Sequence, residues 1–337
     1  MRSVTALFMI VALLVCLCGC METPEITTPS TASHQVAMPT TAIHPSPPET
    51  VPTPVQQQEV QVLQQSEPTV QLLATVEAPG TLVEQGGGMV VDYSNAEKGY
   101  VMVRCQEAVQ QKLKVQVKGP RTTYTYTLTP LEWTAFPLSD ENGMYQIVIY
   151  QNVVDTKYAV VLSLSLEVTL EDPFGPFLRS NQYVNFDAAP KAIAKAAALT
   201  ANMEDPLEKV TAVYDYVVEN IRYDQELAAS VKSGYLPVLD SVLESGCGIC
   251  FDYASLMTGM LRSQGIPTKL VVGYAGQIYH AWISVWTENT GWVDGVIFFD
   301  GMTWKRMDPT FASSSDSSEE ILLYIANENN YTAKYFY

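Results

Sequence analysis

Histidine and positive charge are the scarcest things in this sequence. There are three His in 337 residues, and His34 and His44 fall in a Pro/Thr-rich stretch. Only His280 is left for a folded site, which excludes a multi-histidine zinc centre. Lys and Arg number 19 against 36 Asp and Glu, giving a formal net charge of −17. A nucleic-acid binder needs a basic face to neutralise phosphates, so that class is excluded as well. Cysteine is sparse once the N-terminus is passed. Cys16, Cys18 and Cys20 crowd the start, and Cys105, Cys247 and Cys250 are too few for a disulfide scaffold. No apolar run reaches the ~20 residues of a spanning helix. What the chain does have is apolar content, at 47%. That is enough to build a core, and it excludes disorder over the full length. At ~150 residues per domain the length suggests about two domains.

The N-terminus reads as an export signal. Met1 and Arg2 make a short basic start, and Val4 to Leu17 is an apolar run. This is the length of a signal-peptide core rather than of a span. Leu17-Cys18-Gly19-Cys20 resembles the bacterial lipobox, with Cys18 where Ala or Ser is more usual. The resemblance implies a lipoprotein signal peptide over 1–20 and lipid attachment at Cys20. The chain would then be exported and held on the outer face of a bacterial-type membrane by that lipid alone. The plainer alternative is an ordinary cleaved signal. Loss of Arg2 takes the net charge from −17 to −18, since residues 1–20 hold no other charge.

Residues 21–75 contain no Lys or Arg, but nine Pro and ten Thr. Such a segment buries too little apolar surface to offset its ordering entropy, so a disordered spacer is expected. A β-rich module follows over 76–172. Lys112 to Lys118 places Leu113, Val115 and Val117 on one face, Thr122 to Leu128 alternates Tyr with Thr, and Tyr145–Tyr150 and Tyr158–Leu170 are further β-branched runs. Period-2 alternation broken by Gly119-Pro120 and Asn142-Gly143 predicts an antiparallel β-sandwich. No catalytic constellation lies within it, and Cys105 reads as a small buried hydrophobe.

The chemistry lies C-terminal to this. Pro190 to Leu199 is Ala/Lys-rich, and Asp205-Pro206 reads as an N-cap with Pro in the first helical turn. Val210, Val213, Tyr214, Val217, Val218 and Ile221 recur at helical spacing. A second amphipathic helix is expected over Cys250 to Gln264, stopped by Gly265 and Pro267. Strands are expected over Lys269–Tyr274, Ile278–Trp286 and Gly291–Phe299, then a return through the Asp300-Gly301 turn signal to Asp308-Pro309. Helices followed by an antiparallel sheet make an α+β order. Cys250 opens a helix, where free N–H groups and the dipole favour an anion. His280 follows on a strand and Asp308 at a strand end. Thiol, imidazole and carboxylate are the parts of a nucleophilic triad.

Five ordered blocks carry a family resemblance: Gly248-Ile249-Cys250-Phe251-Asp252-Tyr253-Ala254, Leu261 to Pro267, Gly273-Tyr274, His280-Ala281-Trp282 and Asp308-Pro309-Thr310-Phe311. Together they resemble the bacterial transglutaminase-like domain, over 177–337. The resemblance implies a papain-like transglutaminase core with Cys250 as nucleophile, His280 as base and Asp308 as the orienting acid. It brings in no cofactor and no metal. It implies thiol-dependent acyl transfer on peptide or protein amides through a Cys250 thioester, released by water or by an amine, with water favoured. The alternative is a non-catalytic surface binding module with a relic triad. Asp252 reads as a structural cap. Trp282, Trp286, Trp292 and Trp304 read as core or cleft wall. Cys247 with Cys250 forms C-x-x-C, but no thioredoxin-like βαβ pattern surrounds it. Cys247 is therefore a possible redox partner that could switch the nucleophile off.

Overall fold

The alternating segments form strands whose inward residues are the predicted apolar ones. The computed structural model describes residues 75–294, 296–299, 304–307 and 330–337. The expected signal peptide with Cys20, nearly all of the spacer, the Asp300-Gly301 turn and Asp308 lie outside the described residues. Eight strands come first: β1 (Val83–Gly86), β2 (Met89–Asp92), β3 (Tyr100–Cys105), β4 (Leu113–Lys118), β5 (Thr123–Leu128), β6 (Thr134–Pro137), β7 (Gly143–Val154) and β8 (Lys157–Val168). They make two antiparallel four-stranded sheets, ordered β1-β2-β3-β6 and β5-β4-β7-β8. In β4 the buried residues are Leu113, Val115 and Val117, and in β5 they are Tyr124, Tyr126 and Leu128. These faces pack on Val91, Val101, Val103 and Phe136 of the other sheet in one core, the arrangement of a β-sandwich. Cys105 is fully buried there, its thiol donating to the Glu107 carbonyl oxygen at 3.2 Å.

Helices α1 (Pro190–Leu199), α2 (Pro206–Asn220), α3 (Gln225–Ser230), α4 (Leu239–Ser245) and α5 (Cys250–Arg262) follow. The Asp205 carboxylate accepts from the Leu207 N–H at 3.1 Å, so the predicted cap of α2 forms. Between the helices, β9 (Arg222–Tyr223) pairs in parallel with β10 (Cys247–Gly248). The antiparallel sheet β13-β12-β11-β16 comprises β11 (Thr268–Ala275), β12 (Ile278–Thr287), β13 (Gly291–Asp294) and β16 (Tyr331–Phe336). The strand expected over Gly291–Phe299 is two strands. Its first half pairs with β12, while β14 (Val296–Phe299) pairs with β15 (Trp304–Met307) in a separate ribbon.

One expectation about α5 is overturned. A helix with a single apolar face was predicted, yet every residue from Asp252 to Arg262 is buried. The sheet strands β11 and β12 contact it, and so do α1, α2 and α4. It is the central helix, so its polar residues need partners inside the protein. Arg262 has them. It is fully buried, and its three guanidinium nitrogens donate to main-chain oxygens of Thr268 (2.9 Å), Arg179 (2.6 Å) and Tyr337 (2.7 Å).

The hydrophobic core runs without a break from the sandwich into the helical half. Tyr337, at the end of the β16 segment, packs on Tyr124 (ring centroids 5.5 Å) and Tyr126 (5.8 Å) of β5, and on Tyr183 (4.8 Å). All described residues fall within one compact unit, Ser66–Tyr337.

Candidate active site

Cys250 is the first residue of α5. The chain reaches it through β10, whose parallel pairing with β9 is secured by Arg222 N–H to Gly246 O and Asp224 N–H to Gly248 O, both 2.9 Å. Gly246 ends α4 in the left-handed region (φ 59°, ψ 32°), a conformation that favours glycine. Ile249 is extended (φ −97°, ψ 176°), and the helix begins abruptly after it. The thiol therefore sits where the first N–H groups of a 13-residue helix are free of intrahelical partners.

His280 lies on β12, directly opposite Gly273 of β11, and is buried. Its ring lies nearly parallel to that of Trp282, at 6.2 Å between centroids. Trp282 in turn packs edge-on against Tyr331 of β16 at 5.3 Å. Cys250 and His280 line the same cleft, of about 480 Å³. Two of the three predicted site residues thus come together from different elements. The third, Asp308, lies outside the described residues.

The cleft walls were not predicted. Tyr183, Tyr223, Tyr235, Tyr279, Phe251 and Tyr337 line it, together with the exposed loop that carries Lys232. No acidic side chain is among its lining residues in the described part of a chain with 36 of them. Of the tryptophans expected as core or cleft wall, Trp282, Trp286 and Trp292 do not line it. Trp282 is buried, Trp286 packs on Phe174 (4.4 Å) and Trp292 on Phe177 (5.3 Å), while the Trp304 side chain lies outside the described residues. Trp292 also lies under the Lys269 ammonium, 3.7 Å from its ring centroid. These rings fasten the segment after the sandwich to β12 and β13.

Asp252 is fully buried in the first turn of α5. Its Oδ2 accepts from the Ile249 N–H at 2.8 Å, as a cap would. Its Oδ1 accepts from the Tyr235 hydroxyl at 2.8 Å. Burial pushes the Asp252 carboxyl above the usual carboxylate range. The two hydrogen bonds oppose that push, and nearby Asp224 adds to it. Gly248 makes room for this carboxylate, since a Cβ there would lie 2.6 Å from the Asp252 Cβ.

Cys247 and Cys250 are both free thiols. With Gly248 in a strand and Ile249 extended, their Cα atoms stand roughly 10 Å apart at ~3.3 Å per residue. A disulfide spans at most ~7 Å between Cα atoms, so joining the pair requires β10 to break.

The chain is similar to known proteins over part of its length. A profile described as Transglutaminase-like superfamily matches residues 193–295, which hold Cys250 and His280. The uncharacterized protein YebA of Bacillus subtilis (strain 168) is 30% identical over 135 residues, covering 34% of this chain and 18% of that protein. A protein-glutamine gamma-glutamyltransferase of Pseudomonas aeruginosa is 27% identical over 109 residues, covering 28% of this chain and 14% of that one. The matched region thus spans less than a fifth of either relative. Red sea bream transglutaminase superposes with a TM-score of 0.27 and 13% identity, over 67% of this chain and 53% of that one. Residues 193–295, with the thiol at a helix start and the imidazole on a strand of the adjoining sheet, belong to the transglutaminase-like superfamily.

Proposed function

We propose that this chain is a thiol-dependent acyltransferase or hydrolase of the cell envelope, acting on peptide or protein amides. The observation that carries the proposal is the convergence of Cys250 and His280 on one cleft. His280 takes the proton from the Cys250 thiol, and the helix N-terminus supports the resulting anion. Sγ attacks the amide carbonyl carbon, the C–N bond breaks, and the imidazolium gives its proton to the leaving amine. Water or a second amine then attacks the thioester, His280 accepts its proton, and Sγ leaves as thiolate. Asp308, taken from the sequence blocks, orients the imidazole. The name of the Pseudomonas relative favours glutamine side-chain amides among the first donors to try. Lipid on Cys20 would hold the chain at the membrane, and residues 21–75 would space the catalytic part away from it.

The test uses the full chain and its Cys250→Ala variant. Both are incubated with a panel of glutamine-containing and other peptides, with and without a primary amine. Mass spectrometry reads amide hydrolysis, amine incorporation and a trapped acyl-enzyme. Product from wild type alone supports the proposal. Equal behaviour of the two proteins across the panel overturns it and leaves a binding module with an inert triad.

A further inference from the structure

One wall of the cleft is a short stretch of chain, from Asp224 through α3 and the exposed residues 231–234 to Tyr235. It is fastened to the nucleophile segment at two places. At one end the Asp224 N–H donates to Gly248 O at 2.9 Å. At the other the Tyr235 hydroxyl donates to Asp252 Oδ1 at 2.8 Å. The exposed stretch between them has few anchors of its own. Asp252 caps the helix with its other oxygen, and Gly248 leaves the space that lets it do both. A carboxylate needed only as a cap could face solvent. This one is fully buried and joined to a residue 17 positions away.

We propose that Asp252 is a positioning residue for the cleft: its carboxylate clamps the wall that carries Tyr235 onto the first turn of α5, and so sets how wide the cleft is at Cys250. The consequence for acyl transfer rests on Cys250 being the nucleophile. The clamp itself does not. Tyr235 acts through its ring as wall and through its hydroxyl as latch. Releasing the latch lets bulkier groups reach Sγ and leaves a bound acyl group less closely held.

The clamp is tested on the full reduced chain by alkylating Cys250 with a small reagent, iodoacetamide, and a bulky one, fluorescein maleimide. Site-resolved mass spectrometry keeps Cys250 apart from Cys247. Tyr235→Phe removes a single oxygen and keeps the ring, so it carries the test even where Asp252→Ala fails to fold. A hydrogen bond to a charged group is strong enough that Tyr235→Phe and Asp252→Ala should each raise the bulky-to-small rate ratio about tenfold. The double variant should do no more than either single change, because both release the same latch. Asp252→Asn should stay within about threefold of wild type, since its oxygen still accepts from Ile249 and its amide can donate to the Tyr235 oxygen. An unchanged ratio in Tyr235→Phe, or additive effects in the double variant, overturns the clamp. The ratio is read without any substrate. Failure on the peptide panel with a shifted ratio rejects acyl transfer and keeps the clamp. Activity with an unshifted ratio does the reverse.

Discussion

Gly273 stands directly opposite His280 in the β11–β12 ladder, and a Cβ at Gly273 would fall 2.1 Å from the Thr332 carbonyl oxygen and 2.9 Å from Trp282 Cη2. The glycine lets β16 and the Trp282 ring approach β11 closely. Backbone cannot yield as a flexible side chain does, so Gly273→Ala should cost about 1–3 kcal/mol, the range for overpacking. It should also push β11 and β16 apart beside His280. Thermal unfolding would read the first effect, and Cys250 alkylation at about pH 6 the second. Wild-type values in both would show that β16 does not press on this site.

The buried Asp252 carboxyl makes stability depend on pH. Its folded-state pKa is raised, chiefly by burial, above that in the unfolded chain. Below the unfolded value both states hold the proton, and the stabilisation that goes with the raised pKa is fully present. It is lost as pH climbs through the folded value. Asp252→Asn keeps the shape and does not titrate. The melting temperature of the variant minus that of wild type should therefore become more positive from about pH 4 to about pH 7. A flat difference would place the carboxyl at its ordinary pKa.

Arg262 holds three chain segments through main-chain oxygens of Arg179, Thr268 and Tyr337. Arg262→Leu leaves all three without that donor; Tyr337 O keeps the Leu270 N–H at 2.8 Å, so the cost falls on the oxygens of Thr268 and Arg179. At about 1–3 kcal/mol for each unsatisfied group, the loss from these two should be about 2 kcal/mol or more. Chemical denaturation would measure it. A loss below about 1 kcal/mol would mean that the oxygens find other donors.

The tyrosines at the junction of the two halves give a different kind of expectation. Tyr337→Ala removes a ring packed on Tyr124, Tyr126 and Tyr183. A loss of about 3 kcal/mol or more is expected for such a truncation. Because the core is continuous, amides of β4 and of α5 should lose hydrogen-exchange protection together. Loss confined to α5 would show that the halves unfold separately.

Much of this was legible because it is local. The alternation at Leu113, Val115 and Val117, the Asp205-Pro206 helix start and the placing of Cys250 on a helix and His280 on a strand all follow from spacing and capping. The cleft walls were not legible for the opposite reason. Tyr183, Tyr223, Tyr235 and Tyr337 converge on the cleft from distant stretches of chain, and most lie in turns or irregular segments, where no periodicity shows which way a ring faces. Asp252 was legible as a cap from its place in the first turn. Its second bond needed Tyr235, 17 residues earlier, and no periodicity marks such a pair. The apolar stripe of α5 was read correctly, but the burial of its polar side was not. That burial depends on how many neighbours surround the helix, which a single segment does not encode.

The short parallel pairing of β10 with β9 has one more effect. Two thiols separated by two residues ordinarily invite ring closure wherever oxidants are present. Here the extended stretch between Cys247 and Cys250 works as a spacer bar. The backbone geometry keeps the Cys250 thiol from its neighbour. A substitution that loosens β10 would leave the two thiols open to joining in air.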